Sequence, residues 1–132
     1  AKEANGDISA LAQTVKLCDD ELTIYSGNDD QITAFMSLGA KGVVSVLSNI
    51  APRAVHDMVK MYLDGDTAAS TELQLKYLDL CSSLFSDVNP IPVKEAMNMM
   101  GMEVGSCRLP LAQIQPQAKE KLRRSLSALG MI

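Results

Sequence analysis

Histidine and cysteine are scarce in this chain and nowhere clustered: one His and three Cys in 132 residues. Cys18, Cys81 and Cys107 form no CxxC pair, and His56 has no cysteine or second histidine near it. Zinc and other soft metals need several such donors at short spacing, so the sequence predicts no metal site. An odd, scattered set of thiols also argues for reduced cysteines and a cytoplasmic protein rather than a disulfide framework. No apolar run reaches the roughly 18 residues that a membrane helix requires, and no secretory pattern opens the chain. Basic residues are never uninterrupted. The run Lys119-Glu120-Lys121-Leu122-Arg123-Arg124 is broken by Glu120 and sits on helical periodicity, as a solvated helix face does. With a net charge of −4, this argues against a nucleic-acid surface. No short internal repeat is evident, and there is no initiator Met: Ala1-Lys2-Glu3 reads like the end of a strand.

What remains is 47% hydrophobic and 21% charged, enough for one domain with a real core. Leu22-Thr23-Ile24-Tyr25 and Gly42-Val43-Val44-Ser45-Val46 are short, nearly continuous apolar runs. Such runs predict strands buried on both faces, as in a covered parallel sheet. Asp7 is placed to cap a helix carrying Ile8, Leu11, Val15 and Cys18 on one face. Asp29 to Leu38 has the spacing of a short helix ended by Gly39, with Ile32, Phe35 and Met36 in register. The order strand, helix, strand, helix, strand predicts parallel βαβ units.

From Pro52 onward the pattern becomes helical. A helix from Pro52 to Leu63 closes at Gly65, and a long one is expected from Asp66-Thr67 to about Phe85. Asn89-Pro90-Ile91-Pro92 is a rigid turn into a helix ending near Met100. Arg108-Leu109-Pro110-Leu111 is expected to be extended, and Pro116 to Leu129 forms the last amphipathic helix. Three parallel strands leave two open edges, so the pattern looks like part of a larger α/β fold.

In α/β barrels, functional groups gather where strands end and loops begin. Lys2, the Ser26-Gly27-Asn28-Asp29 turn and the stretch Val44 to Asn49 occupy such positions. A partly desolvated lysine there would expose a neutral amine able to attack a ketone. A lone lysine after an apolar stub is by itself more often a surface residue, and composition does not choose between these roles. Several other residues are assigned plain structural roles. Lys94 is solvated or paired near a helix start. Met97, Met99, Met100 and Met102 form a core or subunit-contact stripe. Asp64 and Asp66 flank a turn, since the later ligands of a calcium loop are missing. Asp29 and Asp30 suit a helix N-terminus, and Tyr25, Tyr62 and Tyr77 pack.

Word patterns around Lys2 shift the balance. Lys2-Glu3-Ala4-Asn5-Gly6-Asp7, Ser26-Gly27-Asn28-Asp29, Leu38 to Val46 with Asn49 and Ala51-Pro52, Asn89 to Lys94, and Arg108 to Leu111 follow one another in order. Together they resemble the motifs of the dihydrodipicolinate synthase family, within the N-acetylneuraminate lyase superfamily, from residue 1 to residue 132. That resemblance implies the C-terminal half of a TIM (β/α)8 barrel, about strands six to eight over residues 1–65, then a C-terminal helical region over 66–132. It implies a synthase condensing pyruvate with aspartate semialdehyde, at the first committed step of lysine and diaminopimelate synthesis. Lys2 would form the Schiff base, and Gly27 and Val44 would line the pyruvate pocket, Val44 through its carbonyl. The covalent imine would replace any cofactor, and the assembly would be a homotetramer. Asn28 departs from the pattern, standing where the family has an acid, and Ala1 where it has a larger aliphatic. The family's proton-relay tyrosines and second-substrate arginine belong to an N-terminal half missing here, so this chain alone is expected to lack turnover. Two alternatives stay open: another pyruvate-dependent class I aldolase or lyase, such as N-acetylneuraminate lyase, and a non-catalytic barrel-half scaffold.

Overall fold

The computed structural model describes residues 1–19 and 21–132. Strand β1 (Lys2–Glu3) leads into helix α1 (Ile8–Cys18), then strand β2 (Tyr25–Ser26). Asp7 caps α1 as expected, its carboxylate accepting from the amides of Ser9 and Ala10 at 2.8 and 3.1 Å. A 3-10 turn at Asp29–Gln31 runs straight into α2 (Ile32–Ser37). β1 and β2 are parallel, with Lys2 opposite Tyr25 and Glu3 opposite Ser26. A third extended segment joins on the far side of β2 through a parallel bridge between Ser26 and Val43. The strand–helix alternation is therefore present.

The strands are shorter and less covered than their composition suggests. Ile24 and Ser26 are buried while Tyr25 between them is 39% exposed, and Val44 is 49% exposed. Burial thus alternates along β2, so helices cover one face only and the expectation of strands buried on both faces does not hold here. The third segment also stops pairing early. Val46 and Leu47 give their amides to the Asp29 side chain instead of a neighbouring strand, and a second 3-10 turn forms at Leu47–Asn49.

Helices α3 (Pro52–Leu63), α4 (Thr67–Lys76), α5 (Leu78–Leu84), α6 (Ile91–Met99) and α7 (Pro116–Ala128) complete the chain. The single helix expected over 66–85 is broken at Tyr77. Its apolar residues cannot share one stripe. With the break, α4 turns Ser70 and Gln74 inward and leaves Leu75 in solvent, while α5 buries Leu80, Cys81 and Leu84. Arg108 to Leu111 also departs from expectation: it is a turn, closed by the Leu111 amide on the Arg108 carbonyl at 3.1 Å. The peptides Asn89–Pro90 and Leu109–Pro110 are both cis.

The main core gathers Leu47, Met58, Leu80, Leu84, Leu122 and Leu126, all fully buried. Each contributes about 1.5–3 kcal/mol by leaving water. Leu122 and Leu126 are four residues apart on α7, so one stripe faces the core and the basic residues face out. Lys119 pairs with Glu95 at 2.7 Å and Lys121 reaches the Ser82 hydroxyl at 2.8 Å, as a solvated helix face would. A smaller cluster of Leu11, Ile24, Phe35 and Ala40 seats α1 and α2 on the strands. The main core crosses residue 65, where Gly65 (φ +94°) ends α3, so residues 1–65 and 66–132 share one interior. That joint interior lets helices from the second region fix loops that belong to the first.

Candidate functional site

Three loops follow the three parallel segments, and they lie side by side. The first, Ala4 to Asp7, is built by short side chains accepting from backbone amides just ahead. Glu3 Oε1 takes the amides of Ala4 and Asn5, both at 2.8 Å, and Asn5 Oδ1 takes that of Asp7 at 2.7 Å. These local bonds shape the turn behind Lys2 without help from elsewhere.

The second loop, Ser26 to Gln31, closes on itself in the same way. Ser26 Oγ accepts from the Asn28 amide at 3.1 Å and donates to the Asn28 carbonyl at 2.9 Å. Gln31 ties the first two loops, its Nε2 donating to the Gly6 carbonyl at 3.2 Å while its Oε1 accepts from Asn28 Nδ2 at 3.3 Å. The amide at Asn28 is used here as a donor, which an ionised acid at that position could not be.

Lys2 and Gly27 come together. The Gly27 amide donates to the Glu3 carbonyl at 2.7 Å. A Cβ on Gly27 would lie 2.7 Å from Lys2 Cε and 2.5 Å from the Ala4 Cβ. Gly27 is not in the left-handed region, so space rather than backbone conformation demands glycine. Val44 joins them from the third segment, its amide donating to the Ser26 carbonyl at 2.7 Å. Among the described residues its own carbonyl accepts no hydrogen bond. Lys2 is exposed and forms no ion pair among the described residues. The three sequence candidates therefore share one open face, and no enclosed cavity forms around the amine.

Cavities lie elsewhere. One of about 610 Å³ sits beneath the Gly105 to Pro116 segment against α6 and contains none of the three. A smaller one of about 290 Å³ lies between the first two loops and α5, lined by Asn5, Gly6, Asp30, Gln31, Ser82 and Phe85 among others. Cys81 lies on its wall. Burial pushes that thiol up to about 12, and the Asp29 and Asp30 charges add to the effect. Its thiolate is suppressed, which removes it as a nucleophile.

Two residues that anchor the loops are not evident from sequence. Asp29 is 1% exposed, and its Oδ2 accepts the Val46 and Leu47 amides, both at 2.9 Å. It caps the turn of the third loop rather than its own. Oδ1 has no hydrogen-bond partner among the described residues. Gln74, 3% exposed on α4, donates from Nε2 to the Asp29 carbonyl at 2.7 Å. Its Oε1 accepts the Ile32 amide at 3.0 Å. The only hint in sequence is that Gln74 falls four residues after Ser70, one helical turn along the same face.

The remaining candidates have structural partners. Lys94 donates to the Ser106 carbonyl at 2.7 Å, and His56 is exposed beside Asp57 at 3.0 Å. Asp66 caps α4 through the Ala69 amide at 3.1 Å. Met97, Met99 and Met100 pack on the main core, as do Tyr62 and Tyr77, while Met102 and Tyr25 are exposed. Among the described residues no three His, Cys, Asp or Glu side chains gather as metal ligands. No helix among them is long and apolar enough to cross a membrane.

A model of the family described as dihydrodipicolinate synthetase matches residues 1–129. The 4-hydroxy-tetrahydrodipicolinate synthase of Lachnoclostridium phytofermentans is 50% identical over 131 residues, covering 99% of this chain and 45% of that protein. The solved enzyme of the same description from Methylacidiphilum fumariolicum SolV superposes with a TM-score of 0.94 at 41% identity, over 98% of this chain and 43% of that one. A dihydrodipicolinate synthase from Acinetobacter baumannii, solved complexed with pyruvate, superposes with a TM-score of 0.93 at 35% identity, over 99% and 45%. The chain thus spans less than half the length of these relatives.

Proposed function

This chain belongs to the dihydrodipicolinate synthetase family, and from that premise we propose that it forms the C-terminal part of a (β/α)8 barrel that condenses pyruvate with aspartate semialdehyde at Lys2. Residues 1–65 would supply the last barrel strands and 66–132 the helical region that buttresses them. The observation that carries the assignment is the approach of Gly27 to Lys2, where a single Cβ would stand 2.7 Å from Cε. An adduct on Nζ extends from that methylene, so the space beside it must be free of side chains.

The chemistry then follows from the amine. Lys2 Nζ attacks the keto carbon of pyruvate and water leaves, giving an imine. The protonated imine withdraws electrons, so the methyl carbon loses a proton and becomes an enamine carbon nucleophile. That carbon adds to the aldehyde of the second substrate, and the new C–C bond restores the imine. The amino group of the added substrate attacks the imine carbon, closes the ring and expels Lys2 as free amine. Val44 contributes a carbonyl with spare accepting capacity beside Gly27, suited to an adduct hydroxyl or an N–H. No external cofactor is required by this sequence of steps. The alternation of a covered and an open strand face supports a second half of the barrel closing over Lys2, Tyr25 and Val44.

Reduction with borohydride in the presence of pyruvate, on the complete polypeptide, tests the assignment. The expected result is one pyruvate-dependent adduct mapping to Lys2 and none in Lys2→Arg. An adduct at Lys94 instead, or undiminished turnover in Lys2→Arg, overturns it. Substituting other aldehydes for aspartate semialdehyde separates the synthase from a sister lyase using the same imine.

A further inference from the structure

Resting on the imine assignment, we propose that Gln74 is a positioning residue for the pyruvate site, acting through Asp29 on the loops that carry Gly27 and Val44. The chain of contacts is continuous. Gln74 Nε2 holds the Asp29 carbonyl at 2.7 Å, and Oε1 takes the amides of Ile32 and Thr33 at 3.0 and 3.4 Å. Those two amides open α2, whose own N-cap residue, Gln31, makes no side-chain cap bond. A residue over forty positions away therefore does the capping. Asp29, fixed by its backbone, uses Oδ2 to hold the Val46 and Leu47 amides, opening a turn that also lacks a side-chain cap of its own. Gly27 stands two residues before Asp29, and Val44 two before Val46. One carboxamide on the helical region thus sets both walls of the site at once.

A buried glutamine is an unusual filler for a helix face, because each of its polar atoms must find a partner. Here donor and acceptor are both spent on the same loop. Ser70 supplies the internal comparison. It is equally buried, one turn earlier on α4, and its hydroxyl donates to the Met58 carbonyl at 2.6 Å. That bond ties α4 to α3 and reaches neither loop.

Gln74→Met keeps length and removes both hydrogen-bonding functions; Gln74→Glu keeps the acceptor and, once ionised at alkaline pH, removes the donor. In the complete polypeptide, both are expected to raise the half-saturating pyruvate concentration for borohydride trapping at least tenfold. Ser70→Ala, with a comparable fall in melting temperature, is expected to leave it within twofold. Amide exchange, which needs no pyruvate, is expected to quicken at Val46 and Leu47 in Gln74→Met and stay unchanged there in Ser70→Ala. Equal pyruvate shifts for the Ser70 and Gln74 variants, or unchanged exchange at Val46 and Leu47, overturn the positioning role. If Gln74→Met does not fold, the same outcomes are read from Gln74→Glu. Absence of any adduct in the unsubstituted protein would instead sink the imine assignment, and exchange would still report whether the clamp exists.

Discussion

Lys2 and Gly27 are in contact across β1 and β2: a methyl group on Gly27 would overlap Lys2 Cε at 2.7 Å and the Ala4 Cβ at 2.5 Å. The lysine end is flexible and can swing aside, but Ala4 is held by its amide on Glu3 Oε1 and cannot. Gly27→Ala therefore pushes the amine aside and also forces the first loop to shift. Overpacking of this kind costs about 1–3 kcal/mol, or roughly five- to 150-fold in rate when it falls on the reacting group. The expected outcome is that loss in pyruvate trapping together with a lowered unfolding midpoint. A variant that traps pyruvate like the parent would show that the gap beside Lys2 has no chemical use.

How much of this was legible in the sequence depends on the reach of each interaction. Asp7, Gly65 and Pro92 act within a few residues, and their roles follow from spacing alone. Lys2, by contrast, is singled out only by the words around it, because nothing in the charge or periodicity of a two-residue strand would mark an amine as reactive. The break at Tyr77 carries no conventional stop, whereas the turn at Arg108 to Leu111 holds Pro110, which is compatible with an extended segment as well as with a turn. The break at Tyr77 arises from which residues the other helices leave room to bury. Asp29 has the place of an ordinary helix-start acid in the sequence, yet its carboxylate serves a turn 17 positions later. Gln74 was invisible for the same reason. Contacts between distant segments have no periodicity to betray them.

Removing the Asp29 side chain should be costly. Asp29→Ala strands the amides of Val46 and Leu47, and Leu47 is fully buried. A stranded buried donor costs about 1–3 kcal/mol, so the pair is expected to cost roughly 2–4 kcal/mol. Asp29→Asn retains an oxygen and should lose about half as much. Urea unfolding, read as a midpoint shift at constant slope, measures both. Equal losses for the two variants would mean that the amides find other acceptors.

The three thiols should separate by reactivity. Cys81 is buried and pushed up to about 12, first by burial and then by Asp29 and Asp30, while Cys18 and Cys107 are half-exposed. In the native protein at pH 8 a thiol reagent is expected to modify the latter two and spare Cys81 until urea is added. The linkage has a definite sign. A thiol raised from 9.0 to about 12 keeps its proton longer in the folded state. Its contribution is constant below pH 9, then falls as pH climbs toward 12. Cys81→Ala should therefore flatten the alkaline decline in stability. An unchanged decline would place its origin in other groups.

Asp87 offers the opposite sign. Its Oδ2 accepts the Gln115 amide at 2.9 Å and its Oδ1 the Val88 amide at 2.7 Å, joining the end of α5 to the start of α7. These bonds, that from Gln115 foremost, hold its carboxyl below 3.8. A depressed value means stability present above the ordinary carboxylate range and lost as pH falls through the folded value. Because the group is exposed, the effect is local: the junction before α7 loosens in acid. Gln115 has φ −64° and ψ 141°, a backbone that proline can adopt. Gln115→Pro thus deletes the donor and sets the ring Cδ where the hydrogen bond ran, so the Asp87 carboxylate must turn away from residue 115. A carboxyl titration by NMR should then find Asp87 most of the way back to 3.8. If its value stays as low as in the parent, the Gln115 amide is not what holds it down.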